Sequence, residues 1–98
     1  MDAERALAAI NTAAAAYAER LTKREIEVWL GICQGQSNKE IAANLGVRPF
    51  TARTHVASLF QKTGVQSRTE LVIKAWEADA ASDTSRKDTI EREEGRKG

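Results

Sequence analysis

The chain has 98 residues, which is room for one small domain, and its 42% hydrophobic and 30% charged residues argue against disorder over the whole length. A single cysteine, Cys33, excludes an intramolecular disulfide, and with only one histidine, His55, no residue cluster predicts a metal site. No apolar run approaches the roughly 20 residues that span a bilayer, and the N-terminus lacks the basic start of a secretory signal. We therefore expect a cytoplasmic protein that binds no metal or cofactor and enters no membrane.

The net charge of +1 is unevenly distributed along the chain. Residues 21–76 carry eight basic and four acidic side chains, whereas both ends are net acidic. No acidic residue lies between Glu40 and Glu70, but four basic ones do: Arg48, Arg53, Lys62 and Arg68. A locally basic middle is typical of a surface that faces phosphate, and the alternative is an ordinary solvated face.

The first 20 residues are rich in alanine and contain neither glycine nor proline, which predicts a helix from Asp2 to about Arg20. Such a helix is too weakly apolar to fold alone and needs a surface to lie on. Steps of three and four residues give it one thin apolar stripe: Leu7, Ile10, Ala14, Tyr17 and Leu21.

Four further helices are predicted from capping residues and from glycine and proline signals. Thr22 with Glu25 three residues later has the spacing of a capping box, and Ser67 with Glu70 repeats it. Pro49 stands at a first helical position, where its missing N–H costs nothing. The resulting helices span about 22–34, 38–45, 49–63 and 67–80. The predicted organisation is an N-terminal helical extension (1–20), a four-helix domain (21–80) and a disordered charged tail (81–98).

The two middle helices are predicted to form a helix-turn-helix. Ser37 or Asn38 caps the first, and only residues 46–48, which include Gly46, separate it from the longer second helix. One side of the corner is apolar: Ile41, Ala42, Leu45, Val47, Ala52, Val56, Leu59 and Phe60. The opposite face of the second helix is small, polar or basic and free of acids, which suits the major groove: Thr51, Arg53, Thr54, Ala57, Ser58 and Gln61.

Several short sequence motifs follow one another along about half of the chain. They are Leu21-Thr22, Arg24-Glu25, Ser37-Asn38-Lys39-Glu40-Ile41-Ala42, Leu45-Gly46-Val47, Gly64-Val65 and Ser67-Arg68-Thr69-Glu70-Leu71-Val72. In these motifs the chain resembles the DNA-binding domain of the LuxR/GerE (NarL/FixJ) family. The resemblance implies an all-α domain of four helices, a recognition helix over 49–63 and dimerisation through the last helix.

The resemblance also implies which residues meet DNA. Arg53, Thr54 and Ala57 occupy the positions that face base edges, and Arg53 has the geometry to bond guanine, with contact to phosphate alone as the alternative. Six more residues match phosphate-contacting positions or are candidates for that role: Asn38, Lys39, Thr51, Lys62, Ser67 and Arg68. Each of the six has solvated or capping roles as the alternative. For Ser67 the capping role is at least as well supported.

Four apolar residues depart from the family pattern or exceed what the core needs. Ile26 and Leu30 replace polar residues four apart on one helix, so we expect the N-terminal helix or a second subunit to cover them, with plain exposure as the alternative. Ile73 and Trp76 lie three apart on the last helix and are interpreted as dimer contacts, with packing against the N-terminal helix as the alternative. We interpret His55 as a scaffold residue and Cys33 as buried and inert.

The function predicted from these observations is sequence-specific DNA binding by a transcription regulator that acts as a dimer on a dyad site. The expected partners are double-stranded DNA and a second copy of the chain. RNA polymerase or a regulatory protein is a further candidate partner. The starting methionine favours a naturally short regulator over a fragment. The alternatives are a module similar to sigma-factor region 4 and a helical adaptor that works through protein contacts. No nucleophile, base or metal set predicts an enzyme.

Overall fold

In the computed structural model the chain is described from Asp2 to Lys87, with side chains described up to residue 81. Over this range the fold is all-α, which confirms the predicted class. Its helices are α1 (Ala3–Ala14), α2 (Lys23–Cys33), α3 (Asn38–Leu45), α4 (Pro49–Thr63) and α5 (Arg68–Lys87).

The last helix is longer than the sequence predicted. We expected it to end near Ala80, but α5 continues to Lys87, because no glycine or proline follows Gly64 until Gly95. The expected disordered tail therefore overlaps the end of α5, and its remaining residues, 88–98, lie outside the described part of the chain.

Capping side chains define the starts of α2 and α3 as predicted. Thr22 and Glu25 form a complete capping box at α2, and Ser37 and Glu40 form another at α3. At the end of α3, Gly46 has a left-handed φ of 70°, a conformation that glycine adopts without a steric penalty. Three residues later α4 begins, so caps and a turn close together in the sequence mark the ends of both helices at the helix-turn-helix corner.

The N-terminal helix is shorter than expected, but most of its predicted stripe is right: Ile10 and Leu21 are buried, and Ala14 and Tyr17 pack against the core. It ends at Ala14 instead of Arg20, and the side chains it buries are those of Ala6, Ala9 and Ile10. Leu7, which the sequence placed on the buried stripe, is 38% exposed. The helix packs through its alanines against α5 and α2, because small side chains allow two helices to approach closely.

A tryptophan in α2 connects the N-terminal segment to the last helix. Trp29 is fully buried, and its Nε1 donates a hydrogen bond of 2.9 Å to the carbonyl oxygen of Leu71. The Tyr17 ring, which follows the end of α1, lies tilted against Trp29 with 6.4 Å between ring centroids. Arg5 and Asp79 add an ion pair of 2.9 Å between α1 and α5. These contacts make the N-terminal extension part of the domain.

One carboxylate joins the start of α2 to α4. Glu25 is buried, and its Oε1 accepts hydrogen bonds from the Thr22 backbone N–H at 2.8 Å and from Lys62 Nζ at 2.9 Å. Its Oε2 accepts a hydrogen bond of 2.5 Å from Ser58 Oγ. Lys62 also donates to the carbonyl oxygen of Arg20. We call Glu25, Ser58 and Lys62 the Glu25 cluster.

The Glu25 cluster favours the ionised carboxylate strongly. Burial alone would raise the pKa of Glu25, but the hydrogen bonds from Ser58 and the Thr22 backbone, together with the hydrogen bond and charge of Lys62, outweigh burial. The net effect lowers the pKa of Glu25 from 4.5 to about 2. The charge on Glu25 therefore stabilises the fold at neutral pH.

This low pKa predicts a specific acid sensitivity. Because the folded-state pKa lies below the unfolded value, the stabilisation is complete above about pH 4.5 and is lost as the pH falls towards about 2. Over that window the free energy of unfolding should fall by about 2–3 kcal/mol more in the wild type than in Glu25→Gln, measured by urea denaturation. The control Glu27→Gln removes a half-buried carboxylate of the same helix, which pairs with Arg24 at the surface, and should keep the wild-type profile. Parallel profiles for wild type and Glu25→Gln would contradict the assignment.

The close approach of α2 and α3 gives a second prediction. A Cβ added at Gly31 would lie 2.8 Å from Ile41 Cγ1 and 2.9 Å from Gln36 Oε1. Since Ile41 is buried and held by the core, Gly31→Ala should destabilise the fold by about 1–3 kcal/mol in thermal unfolding, despite the better helix propensity of alanine. The double variant Gly31→Ala/Gln36→Ala should keep most of this loss, because it relieves only the flexible amide. A melting temperature at or above that of the wild type would show that the contact is not tight.

Candidate nucleic-acid interface

Helix α4 has a buried side and an exposed side. Ala52, Leu59 and Thr63 are buried, and Val56 and Phe60 are half-buried beside them. On the other side, at steps of three and four residues, lies an exposed face that we call the α4 face: Phe50, Arg53, Thr54, Ala57 and Gln61. Helix α4 contains no acidic residue, so this face carries no negative side chain of its own.

The three predicted base-contacting residues are all on the α4 face. The Arg53 guanidinium carbon lies 5.7 Å from the centroid of the Phe50 ring, a distance typical of a cation–π contact. Thr54 Oγ1 donates a hydrogen bond of 3.1 Å to the carbonyl oxygen of Phe50, one turn back along the helix. Ala57 is exposed and adds only a methyl group to the surface. This part of the α4 face therefore carries one cation and one aromatic ring beside two short side chains.

Two positions on α4 differ from what the sequence indicated. Phe50 was not singled out, although its spacing of three, four and seven residues from Arg53, Thr54 and Ala57 places it on their face. Its apolar character was no guide, because apolar residues are normally assigned to the core. Ser58, which the sequence placed on the polar face, instead turns inward to bond Glu25.

The phosphate candidates differ in how accessible their side chains are. Lys39 is exposed on the first turn of α3, where backbone N–H groups also attract anions, and Thr51 is half-buried at the start of α4. Arg68 is half-buried, and its Nη2 donates to Asn38 Oδ1, which ties the start of α5 to the start of α3. Its Nη1 is buried without a hydrogen-bond partner.

Ser67 acts as the cap that the sequence offered as an alternative. Its Oγ accepts a hydrogen bond of 3.3 Å from the Glu70 N–H, and Glu70 Oε1 accepts one of 3.1 Å from the Ser67 N–H. The second predicted capping box is therefore present, at the start of α5.

Lys62 has a different environment from the one the sequence suggested. Its side chain is 15% exposed, and its ammonium group is engaged by Glu25 and the Arg20 carbonyl. A phosphate contact would have one N–H donor left on a mostly buried ammonium group, or would break the ion pair and leave a buried carboxylate without its cation. Sequence spacing gave no sign of the pair, because the two residues are 37 positions apart.

The four predicted interface residues lie in three places. Ile73 and Trp76 are on α5 and are 45% and 59% exposed, so Trp76 is not packed under the N-terminal helix. Ile26 is half-buried and lines a groove of about 900 Å³ between α1 and α2, together with Leu7 and Tyr17. Leu30 lines a separate depression beside α3. Ile26 and Leu30 are thus both half-buried, and they face different depressions of the surface.

Cys33 and the metal-ligating residue types form no second site in the described part of the chain. Burial raises the pKa of the half-buried Cys33 thiol to about 11, which keeps it protonated and unreactive at neutral pH. Within the described part of the chain, no three His, Cys, Asp or Glu side chains are grouped so that they could hold a metal ion. None of the described helices has the length and apolar character needed to cross a bilayer.

Comparisons with known proteins identify the family. The response regulator protein VraR of Staphylococcus aureus is 44% identical to this chain over 59 residues, and the VraR proteins of Staphylococcus saprophyticus and Staphylococcus epidermidis match equally well. The match covers 60% of this chain but only 28% of each relative. No solved structure matches. The model of the family described as bacterial regulatory proteins, luxR family, matches residues 19–75, which is more than half of the chain and contains α2, α3 and α4 entire. The chain therefore belongs to the LuxR family of bacterial regulatory proteins.

Proposed function

We propose that this chain is a sequence-specific DNA-binding transcription regulator that inserts α4 into the major groove. The observation that carries the proposal is the α4 face, which is exposed, shallow, free of acids and centred on Arg53. The major groove admits one helix, and an arginine on that helix can form two hydrogen bonds with guanine O6 and N7. Arg53, Thr54 and Ala57 are the proposed base-contacting residues. A cytoplasmic location follows from this role.

Contacts to the DNA backbone are proposed for residues around the start of α3. Lys39 is the main candidate, because its side chain is exposed beside the N-terminal N–H groups of the helix. Asn38, Thr51, Ser67 and Arg68 are secondary candidates, since three of them are half-buried and Ser67 serves as a cap. Lys62 is left out of the proposed surface because it neutralises Glu25.

A homodimer on a dyad site is the proposed assembly. Ile73 and Trp76 are exposed three residues apart on α5 and offer an apolar surface on which a second copy can pack. Such a dimer would place its two α4 helices roughly 34–36 Å apart, one turn of the DNA duplex. Contact with RNA polymerase or a regulatory protein is a further part of this proposal.

The alternative function is a helical adaptor that acts through protein contacts alone. The groove between α1 and α2 favours it, because an apolar groove of that kind suits a peptide segment. The exposed Arg53 and the absence of acids from α4 favour DNA instead. A module similar to sigma-factor region 4 has less support, since the chain belongs to the LuxR family.

Two variants separate base reading from phosphate contact. Arg53→Ala should cost about 1–3 kcal/mol on the preferred duplex and relax one base position, because it removes a bidentate pair. Lys39→Ala should weaken binding to all sequences alike and lower the salt slope by about 1, because it removes one phosphate contact. Fluorescence polarisation at two salt concentrations, on a selected and a random duplex, measures both effects. Lys23→Ala, an exposed lysine of the α1–α2 groove, is the charge-matched control and should bind as the wild type does. Equal losses on both duplexes for Arg53→Ala and Lys39→Ala would contradict this division of roles.

The proposed dimer surface is tested on α5. Ile73→Glu combined with Trp76→Glu should shift sedimentation from dimer to monomer and abolish cooperative binding to a two-site duplex, because it places charges in an apolar contact. Binding to one half-site should remain. Glu77→Ala, an exposed change beside Trp76, is the control and should leave the dimer intact. A wild-type chain that sediments as a monomer on its preferred duplex would argue against dimerisation.

A further inference from the structure

Phe50 is the most exposed large apolar side chain of residues 2–81, with 70% of its surface accessible. It lies in the first turn of α4 and shares the α4 face with Arg53, Thr54 and Ala57. A single exposed ring is ordinary on a protein surface. This ring is unusual in its neighbour, because the Arg53 guanidinium lies over it.

The pair of Phe50 and Arg53 combines an apolar group with a cation. A cation–π contact uses the face of the ring and consumes none of the N–H donors of the guanidinium. Arg53 therefore keeps its donors for hydrogen bonds while it lies near the ring. Since Thr54 and Ala57 are short, the ring and the guanidinium are the two large groups on this part of the face.

We propose that Phe50 is a specificity-determining residue that reads the C5-methyl group of a thymine beside the guanine read by Arg53. In the major groove thymine alone among the four bases presents a methyl group, and apolar side chains recognise it. The ring centroid and the guanidinium are 5.7 Å apart, less than two base-pair steps of about 3.4 Å, so the two bases belong to adjacent or nearly adjacent pairs. This inference rests on the proposed function.

The composition of the α4 face favours DNA over a protein as the group that Phe50 contacts. The ring has a cation and a hydroxyl as its exposed neighbours, whereas the centre of a protein interface is a larger apolar patch depleted of charge. One ring beside one guanidinium matches a groove in which the apolar groups are isolated methyls and the polar groups are acceptors.

The test replaces single methyl groups in the DNA. The wild-type chain first selects its preferred duplex from a random-sequence library, and each thymine is then replaced in turn by deoxyuridine, which lacks only the C5-methyl group. At one thymine per half-site, next to the guanine recognised by Arg53, wild-type affinity should fall about three- to tenfold, and Phe50→Ala should show no loss there. Phe50→Leu, which keeps an apolar side chain without the ring, should retain the sensitivity to the methyl group.

Three results decide the matter. Lys23→Ala, an exposed change away from the α4 face, is the control and should keep the wild-type sensitivity. Thermal unfolding of Phe50→Ala should match the wild type because the ring is exposed. Equal sensitivity in wild type and Phe50→Ala, or no sensitive thymine, would overturn the role of Phe50 while leaving the proposed function intact. Failure of the wild type to select any preferred duplex would instead overturn the proposed function, and this inference with it.

Discussion

The buried carboxylate of Glu25 is the constraint that determines how α4 is presented. Ser58 and Lys62 are one turn apart on the flank of α4, and both bond Glu25 at the start of α2. The apolar side of α4 packs against the core through Ala52 and Leu59, which are fully buried. Directional hydrogen bonds on one flank add a second constraint on its rotation. Packing and the polar cluster together hold the α4 face in one orientation.

The parts of the fold that depend on local signals could be predicted from the sequence. The caps at Thr22, Ser37 and Ser67, the glycine turn at Gly46 and the start of α4 all involve residues within a few positions of one another. Features that depend on distant pairs could not be. From the sequence, Glu25 is interpreted as a helix cap and Lys62 as a surface cation. Their pairing becomes visible only in the folded chain. The exposure of Leu7 had no signal in the sequence for a related reason, because the alanines around it carry too little apolar character to distinguish one face of the helix from the next.

The candidate site followed the same division. Arg53, Thr54 and Ala57 were identified by family resemblance and lie on one exposed face, but Phe50 was overlooked because an aromatic residue is usually taken to be buried. The N-terminal helix also acquired a clearer role than its sequence suggested. Through Ile10, and through Tyr17 in the segment that follows, it packs on the core beside α2 and α5, and it leaves Ile73 and Trp76 exposed. The extension thus adds stability without occupying the proposed dimer surface.

The placement of Lys62 has a consequence for how ionic strength acts on the protein. Because Lys62 is paired with a buried carboxylate, it would neutralise no DNA phosphate and release no counterion from the DNA. Dissolved salt screens such a buried pair weakly. Only the outer cations, such as Lys39 and Arg53, would release ions from the DNA as the complex forms. Counting basic residues in the sequence would thus overestimate the number of ions released, while the internal pair keeps the orientation of α4 constant across the range of salt in which binding strengthens or fades.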